Sequence, residues 1–152
     1  MLFRSPIVEG RASVVYGSRF LRHFEGMKLA NWIANRLLTV TTNVLYGARI
    51  TDEATAYKAF RADAIRSVRL RSMRFEFCPE VTAKMLRAGH RIHEVPISYN
   101  PRGILEGKKI RWQDGFHALY TLIRYRFGTL EAAAPVDAAP PSARSQRAGS
   151  HR

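Results

Sequence analysis

The stretch Arg74–Lys109 constrains the fold most, because it sets a helix, a strand and a basic loop in immediate succession. Pro79 suits the first turn of a helix, and Gly89 stops that helix. The segment Arg91–Tyr99 then alternates apolar and polar side chains, and Pro96 makes it an edge-like strand. A helix joined this closely to a strand indicates a domain in which helices pack on a sheet.

The remainder of the chain continues this alternation. We predict strands over Arg11–Gly17 and Ala56–Phe60, and helices over Lys28–Tyr46, Asp63–Arg66, Pro79–Ala88 and Trp112–Phe127. The expected fold is α/β, a small mixed sheet with about three main helices. Residues 132–152 contain no aromatic side chain, which predicts a disordered tail after a single domain over residues 1–131.

The composition of the chain indicates its partners and its cellular compartment. The chain has 152 residues, 46% of them hydrophobic, and a formal net charge of +13, which predicts one core and an anionic partner. The single Cys78 excludes an internal disulfide and fits a reducing compartment. Without an apolar run of about 18 residues no membrane span is predicted. We therefore expect the protein in the cytoplasm, or peripheral on the inner face of the membrane.

Acidic residues at the ends of predicted elements are the candidates for chemistry. Asp52, Glu76 and Glu80 each stand where an element begins or ends, and side chains at such positions converge on clefts. Arg19 follows the first strand at its carboxyl end, which is also a place where ligands gather. One Cys and five scattered His provide no zinc-ligand spacing, so no metal site is predicted in this chain.

Several ordered segments resemble the glycosyltransferase family 2, of the dolichyl- or polyprenyl-phosphate sugar synthase type. They are EGRASVVYGSRF (9–20), NRLLT (35–39), TDEATAYKAFR (51–61), RFEFCPEVTAK (74–84), EVPISYNPR (94–102) and GKKIRWQDG (107–115). They span roughly residues 6–127 in the order that the family has them. The resemblance is to the C-terminal, acceptor-side half of a GT-A (Rossmann-like) catalytic domain.

The resemblance implies a transfer of a sugar from a nucleotide-sugar to a polyprenyl-phosphate or related lipid or glycan acceptor. It implies catalytic roles for Asp52, Glu76 and Glu80. The phosphate- and acceptor-binding residues that it implies are Arg19, Arg36, Thr39, Arg102, Lys108 and Lys109.

The family holds its nucleotide through earlier strands and its Mg²⁺ or Mn²⁺ through an Asp-x-Asp motif. The chain contains no such motif. We therefore expect a fragment of a longer enzyme that is inactive alone and carries no cofactor itself, with Mg²⁺ or Mn²⁺ required by the complete enzyme.

Two alternatives without catalysis stay open, both of them basic modules. One binds nucleic acid, but the aromatic residues recur at the spacing of a core helix and are not interleaved with basic residues as a stacking surface, which disfavours it. The other binds an anionic membrane surface through the helix Trp112–Phe127. The apolar residues of that helix, from Phe116 to Phe127, have a spacing that also suits a core helix, which is the preferred interpretation.

Overall fold

The computed structural model describes residues 3–22, 26–72, 76–98 and 112–129 of the chain. In these ranges five helices and three strands follow one another. They are α1 (Ser5–Val8), β1 (Val14–Ser18), α2 (Leu29–Tyr46), β2 (Lys58–Phe60), α3 (Ala62–Arg66), α4 (Phe77–Arg87), β3 (Ile92–Pro96) and α5 (Trp112–Phe127). The three long helices and the small sheet confirm the predicted mixed α/β class. The predicted tail lies outside the described residues.

The sheet is three-stranded and mixed, in the order β2-β1-β3. The central strand β1 is antiparallel to β2 and parallel to β3, with Ser18 opposite Pro96 at the end of the parallel pair. The edge position of β3 agrees with the presence of Pro96, which has no N–H to donate to a second neighbouring strand. Because β1 and β3 are parallel, their carboxyl ends meet at one edge of the sheet.

Helix α4 is the central element, since it lies between the sheet and the two other long helices. On one side, Val81 and Met85 pack against Val14 and Tyr16 of β1. On the other side, the small Ala83 lies in a second cluster with residues of α2 and α5. Seven consecutive residues of α4, from Pro79 to Met85, are buried. The fold therefore has a sheet, a buried helix and an outer pair of helices.

The exposed apolar stripe of α5 contradicts the preferred interpretation that it faces the core, and α2 likewise exposes its apolar stripe. The faces that pack carry Leu38 of α2 and Leu122 of α5 together with smaller or polar residues such as Thr39, Thr42 and Ala118. A buried threonine costs little here because its hydroxyl donates within the helix: Thr39 to the carbonyl of Asn35, and Thr42 to that of Leu38. Within the described ranges, no helix combines the length and apolar character needed to cross a bilayer.

The first strand begins three residues later than the sequence predicts. The backbone N–H groups of Arg11 and Ala12 donate to the carbonyl of Pro6, at 2.8 and 3.0 Å, and so close a turn after α1. Helix α1, a single turn with Pro6 near its start, was not predicted from the sequence. Elsewhere the predicted and observed boundaries differ by at most three residues where the structure describes them.

Candidate functional site

The candidate site is built at the carboxyl end of β1, where Arg19 and Asp52 meet. The backbone N–H, Nε and Nη2 of Arg19 donate to the Asp52 carboxylate at 3.0, 2.7 and 2.7 Å. The side chain of Asp52 is fully buried, whereas that of Arg19 is 14% exposed. Both carboxylate oxygens are used, so the pair is bidentate, which fixes the plane of the guanidinium group. Sequence analysis singled out both residues, and the structure brings them into contact.

Glu94 of β3 holds the loop that carries Asp52 in place through hydrogen bonds. The Glu94 carboxylate accepts hydrogen bonds from the backbone N–H of Thr51 at 2.7 Å and from that of Asp52 at 3.0 Å. It also accepts from the Thr51 hydroxyl at 2.8 Å. The Ser18 hydroxyl, at the end of β1, lies 2.6 Å from that of Thr51. These contacts tie the loop to the carboxyl end of β1 and to the middle of β3.

Helix α2 approaches the same loop with Thr39. The Thr39 hydroxyl donates to Asn35 and accepts from the backbone N–H of Glu53 at 3.1 Å. Thr39 is only 2% exposed. Its position supports a role in holding the loop beside Asp52, and the direct phosphate contact implied by the resemblance stays a prediction.

Arg36 lies near Arg19, since the guanidinium groups of both residues contact the same aromatic ring. The guanidinium carbons of Arg19 and Arg36 are 5.8 and 5.7 Å from the centroid of the Phe20 ring. Each is within the range of an attractive cation–π contact. Two cationic groups therefore flank one ring directly after β1. Such a pair can bind a phosphate group, since each guanidinium presents several N–H donors in a plane.

The buried Glu53 and the half-buried Lys58 lie next to each other behind the loop. The Nζ of Lys58 donates to the Glu53 carbonyl at 2.7 Å and sits 3.7 Å from the centroid of the Tyr16 ring. Burial raises the pKa of the Glu53 carboxyl, although Lys58 and the Thr82 hydroxyl oppose the shift. Burial likewise lowers the pKa of Lys58, against the attraction of Glu53. This cluster joins the loop to β1, β2 and α4.

Glu80 has a set of partners of its own on α4. Its carboxylate accepts from Lys84 Nζ at 2.5 Å, from the Tyr125 hydroxyl at 3.0 Å, and from the backbone N–H groups of Arg71 and Ser72 at 2.9 and 2.7 Å. Burial raises its pKa, but the hydrogen bonds from Lys84 and Ser72 outweigh that effect and hold the pKa at about 2. These contacts support a role in joining α4 to α5 and to the segment before it.

Glu76, the third acidic candidate, is half-buried at the N-cap of α4, where its carbonyl accepts the Glu80 N–H. The catalytic roles implied for Glu76 and Glu80 stay predictions. Arg102, Lys108 and Lys109, predicted to contact phosphate, lie outside the described residues.

The described residues do not fit a resident metal ion. No three His, Cys, Asp or Glu side chains among them lie close enough together to hold one. Both oxygens of Asp52 are bound by Arg19. The divalent ion expected for a complete enzyme stays a prediction. The chemistry proposed for these residues uses no metal ion that they hold.

Sequence reasoning missed the residues that support the site. Glu94, Glu53 and Lys58 were not singled out, since each is a charged residue within or beside a predicted strand. One signal was available for Glu94. A carboxylate in the middle of a short strand that alternates apolar and polar residues needs a partner, and backbone N–H groups supply it here.

Comparison with known proteins identifies relatives of part of the chain. An undecaprenyl-phosphate mannosyltransferase of Micrococcus luteus is 34% identical over 105 residues, which are 64% of this chain and 42% of the relative. A UDP-N-acetylglucosamine–dolichyl-phosphate N-acetylglucosaminyltransferase of Methanococcus voltae is 30% identical over 129 residues, 81% of this chain and 51% of the relative. A hexosyltransferase of low-salt glycan biosynthesis in Haloferax volcanii is 34% identical over 70 residues, 46% of this chain and 17% of the relative.

The chain thus spans about half the length of the first two relatives. No protein-family model and no solved structure matches it. All three relatives are glycosyltransferases, and two are named for a polyprenyl or dolichyl phosphate. The resemblance inferred from the sequence motifs is therefore confirmed: this chain is a homologue of glycosyltransferases over most of its length.

Proposed function

We propose that this chain is the acceptor-side part of a family 2 glycosyltransferase that transfers a sugar from a nucleotide-sugar to a polyprenyl phosphate. The observation that carries the proposal is the Arg19–Asp52 pair at the carboxyl end of β1, with Arg36 beside it across Phe20. The names of two relatives support the lipid-phosphate acceptor. Because that acceptor is a membrane lipid, we propose that the reaction takes place at a membrane, on the cytoplasmic face expected from the sequence.

In this proposal Arg19 and Arg36 bind the acceptor phosphate, and Asp52 fixes the geometry of Arg19. A phosphate acceptor is already an anion, so the transfer needs no base to deprotonate it. What the transfer needs is a fixed direction of attack by the acceptor phosphate on the sugar. The Asp52 carboxylate contributes to this because its bidentate contact holds the guanidinium group of Arg19 in one plane. Glu94 and Thr39 act indirectly, because they hold the backbone of the loop that carries Asp52.

The test is a chimaera in which residues 1–131 replace the matching part of the Micrococcus luteus relative. We expect transfer of radiolabelled sugar to undecaprenyl phosphate. Asp52→Asn in the chimaera should lower turnover roughly a hundredfold, because the amide cannot accept both Arg19 hydrogen bonds and the guanidinium shifts.

Asp63→Asn is the matched control, because the Asp63 side chain is 63% exposed in a surface pair with Arg61. It should leave turnover within about twofold. Circular dichroism confirms that each variant is folded. A folded Asp52→Asn chimaera with normal turnover would contradict the site assignment. A folded but inactive parent chimaera would favour the non-catalytic basic module.

A further inference from the structure

The loop over residues 47–57, between α2 and β2, carries Asp52 and has no helix or strand of its own. Its backbone N–H groups therefore need partners outside the loop. Glu94 accepts hydrogen bonds from those of Thr51 and Asp52, and Thr39 accepts one from that of Glu53. Side chains of β3 and α2 thus hold three consecutive N–H groups around Asp52.

The carbonyl side of the same loop is held by Lys58 of β2. The Nζ of Lys58 donates to the backbone carbonyl of Glu53 at 2.7 Å. The ammonium group also lies 3.7 Å from the centroid of the Tyr16 ring and 3.4 Å from the Thr82 hydroxyl. Tyr16 of β1 and Thr82 of α4 are fully buried. Lys58 therefore connects the residue that follows Asp52 to the centre of the fold.

An ammonium group in this position has a cost that packing alone does not explain. Burial lowers the pKa of Lys58, and the charge of Glu53 opposes that shift. The Glu53 side chain is itself only 1% exposed. Buried ion pairs are often no more stable than apolar residues of similar volume, so an apolar side chain at both positions would serve the core equally well. What an apolar side chain at position 58 cannot supply is the hydrogen bond to the loop carbonyl.

We propose that Lys58 is a positioning residue for sugar transfer: its hydrogen bond to the Glu53 carbonyl holds the loop so that Asp52 keeps the guanidinium group of Arg19 in one plane. Glu53 is the counter-charge that keeps the Lys58 ammonium in place. The inference rests on the proposed function for the role of Arg19, whereas the effect on the loop does not depend on it. Asp52 precedes Glu53 directly and accepts two hydrogen bonds from Arg19 at 2.7 Å, so a shift of this backbone moves the arginine as well.

Two variants separate positioning from charge balance. Lys58→Met keeps the length of the side chain and removes the ammonium group, which leaves the buried Glu53 without its counter-charge. This single variant should unfold at a lower urea concentration than the parent chain. The double variant Lys58→Met with Glu53→Gln removes both charges and should unfold close to the parent midpoint. The carbonyl of residue 53 still lacks its donor there, so a positioning role predicts that stability recovers and that the loop does not.

The first measurement is hydrogen exchange of the purified 152-residue chain, followed by NMR. In the double variant we expect the backbone amides of Thr51, Asp52 and Glu53 to exchange at least roughly tenfold faster than in the parent chain. The amides of the buried helix α4 should keep their rates. The matched control is Arg61→Met with Asp63→Asn, which removes one cation and one carboxylate from an exposed pair. It should leave the three loop rates within about twofold.

The second measurement is sugar transfer by the Micrococcus luteus chimaera. The double variant should lower kcat roughly tenfold or more, because the direction of attack by the acceptor phosphate is no longer fixed. The KM for the nucleotide-sugar should stay within about twofold, since Arg19 acts on the acceptor and not on the donor. The Arg61→Met with Asp63→Asn control should keep both constants within about twofold.

Three results would overturn the proposal. The loop amides of the double variant exchange at the parent rates; the amides of α4 are accelerated as much as those of the loop, which shows a purely structural role; or an active chimaera with a released loop keeps a normal kcat. A parent chimaera that transfers no sugar counts against the proposed function alone, because faster exchange of the loop amides in the double variant then still supports the hold of Lys58 on the loop.

Discussion

The ionisation of Glu80 links the stability of this fold to pH. Its pKa of about 2 lies below the ordinary 4.5, so the folded state favours the carboxylate form. Its contribution to stability is therefore complete above about pH 4.5 and is lost as the pH falls toward 2. We expect Glu80→Gln to lower the free energy of unfolding by about 3 kcal/mol at pH 7, because it leaves the buried Lys84 without its counter-charge. Urea unfolding followed by circular dichroism measures this.

The pH dependence separates a loss of charge from a loss of packing. The stability difference between the parent chain and Glu80→Gln should shrink steadily between about pH 4.5 and 2, as the parent carboxylate is protonated. Glu9→Gln is the control, because the Glu9–Arg11 pair is about half exposed and contributes at most about 1 kcal/mol. A difference that stays constant down to pH 2 would show that Glu80 acts through shape alone.

At this scale sequence reasoning found the central pair of the candidate site but missed the residues that support it. Arg19 and Asp52 stand at the ends of predicted elements, which is a local property of the sequence. Glu94 binds backbone groups 42 and 43 residues away in the chain. That contact depends on the parallel pairing of β1 and β3, and a single sequence with ambiguous strand pairing does not determine it.

At the scale of the element, α2 shows that an amphipathic pattern determines the presence of a helix but not the direction of its packing face. The periodicity predicted α2 within one residue of its observed start. In α5, the spacing of the large apolar residues predicted that they face the core, and this prediction is wrong. Close packing of α2 and α5 on α4 favours small residues such as Ala83 and Ala118, together with threonines whose hydroxyls are satisfied within the helix. Periodicity does not reveal which face a neighbouring helix will cover.

Adjacent leucines on α2 test this arrangement with the same substitution. Leu38 is 8% exposed and Leu37 is 55% exposed. We expect Leu38→Ala to lower the free energy of unfolding by about 2–4 kcal/mol, because it removes buried volume between α2, α4 and α5. Leu37→Ala should change it by less than about 0.5 kcal/mol. Chemical unfolding of both variants under one set of conditions makes the comparison, and equal losses would show that Leu37 is buried in solution.

At the scale of the whole molecule, the positive charge of the described residues lies mainly at the surface. Three of the twelve acidic residues, Asp52, Glu53 and Glu80, are at most 1% exposed. Their negative charge compensates internal cations such as Lys58 and Lys84. Most arginines and lysines in the described ranges are exposed, and this exposed positive charge favours anionic partners at low ionic strength.

We expect the chain by itself to bind no nucleotide-sugar. A diphosphate leaving group needs cations to hold it, and a divalent ion contributes several kcal/mol to that stabilisation. The 152 residues contain no Asp-x-Asp pair, and Arg19 already occupies both oxygens of Asp52. We therefore expect isothermal titration of the chain with GDP- and UDP-sugars in the presence of Mn²⁺ to show no binding heat. The Micrococcus luteus chimaera, which regains the remainder of the relative, should bind its own donor in the same buffer. Micromolar binding by the chain alone would mean that it holds a nucleotide site of its own, and the acceptor-side assignment would then be wrong.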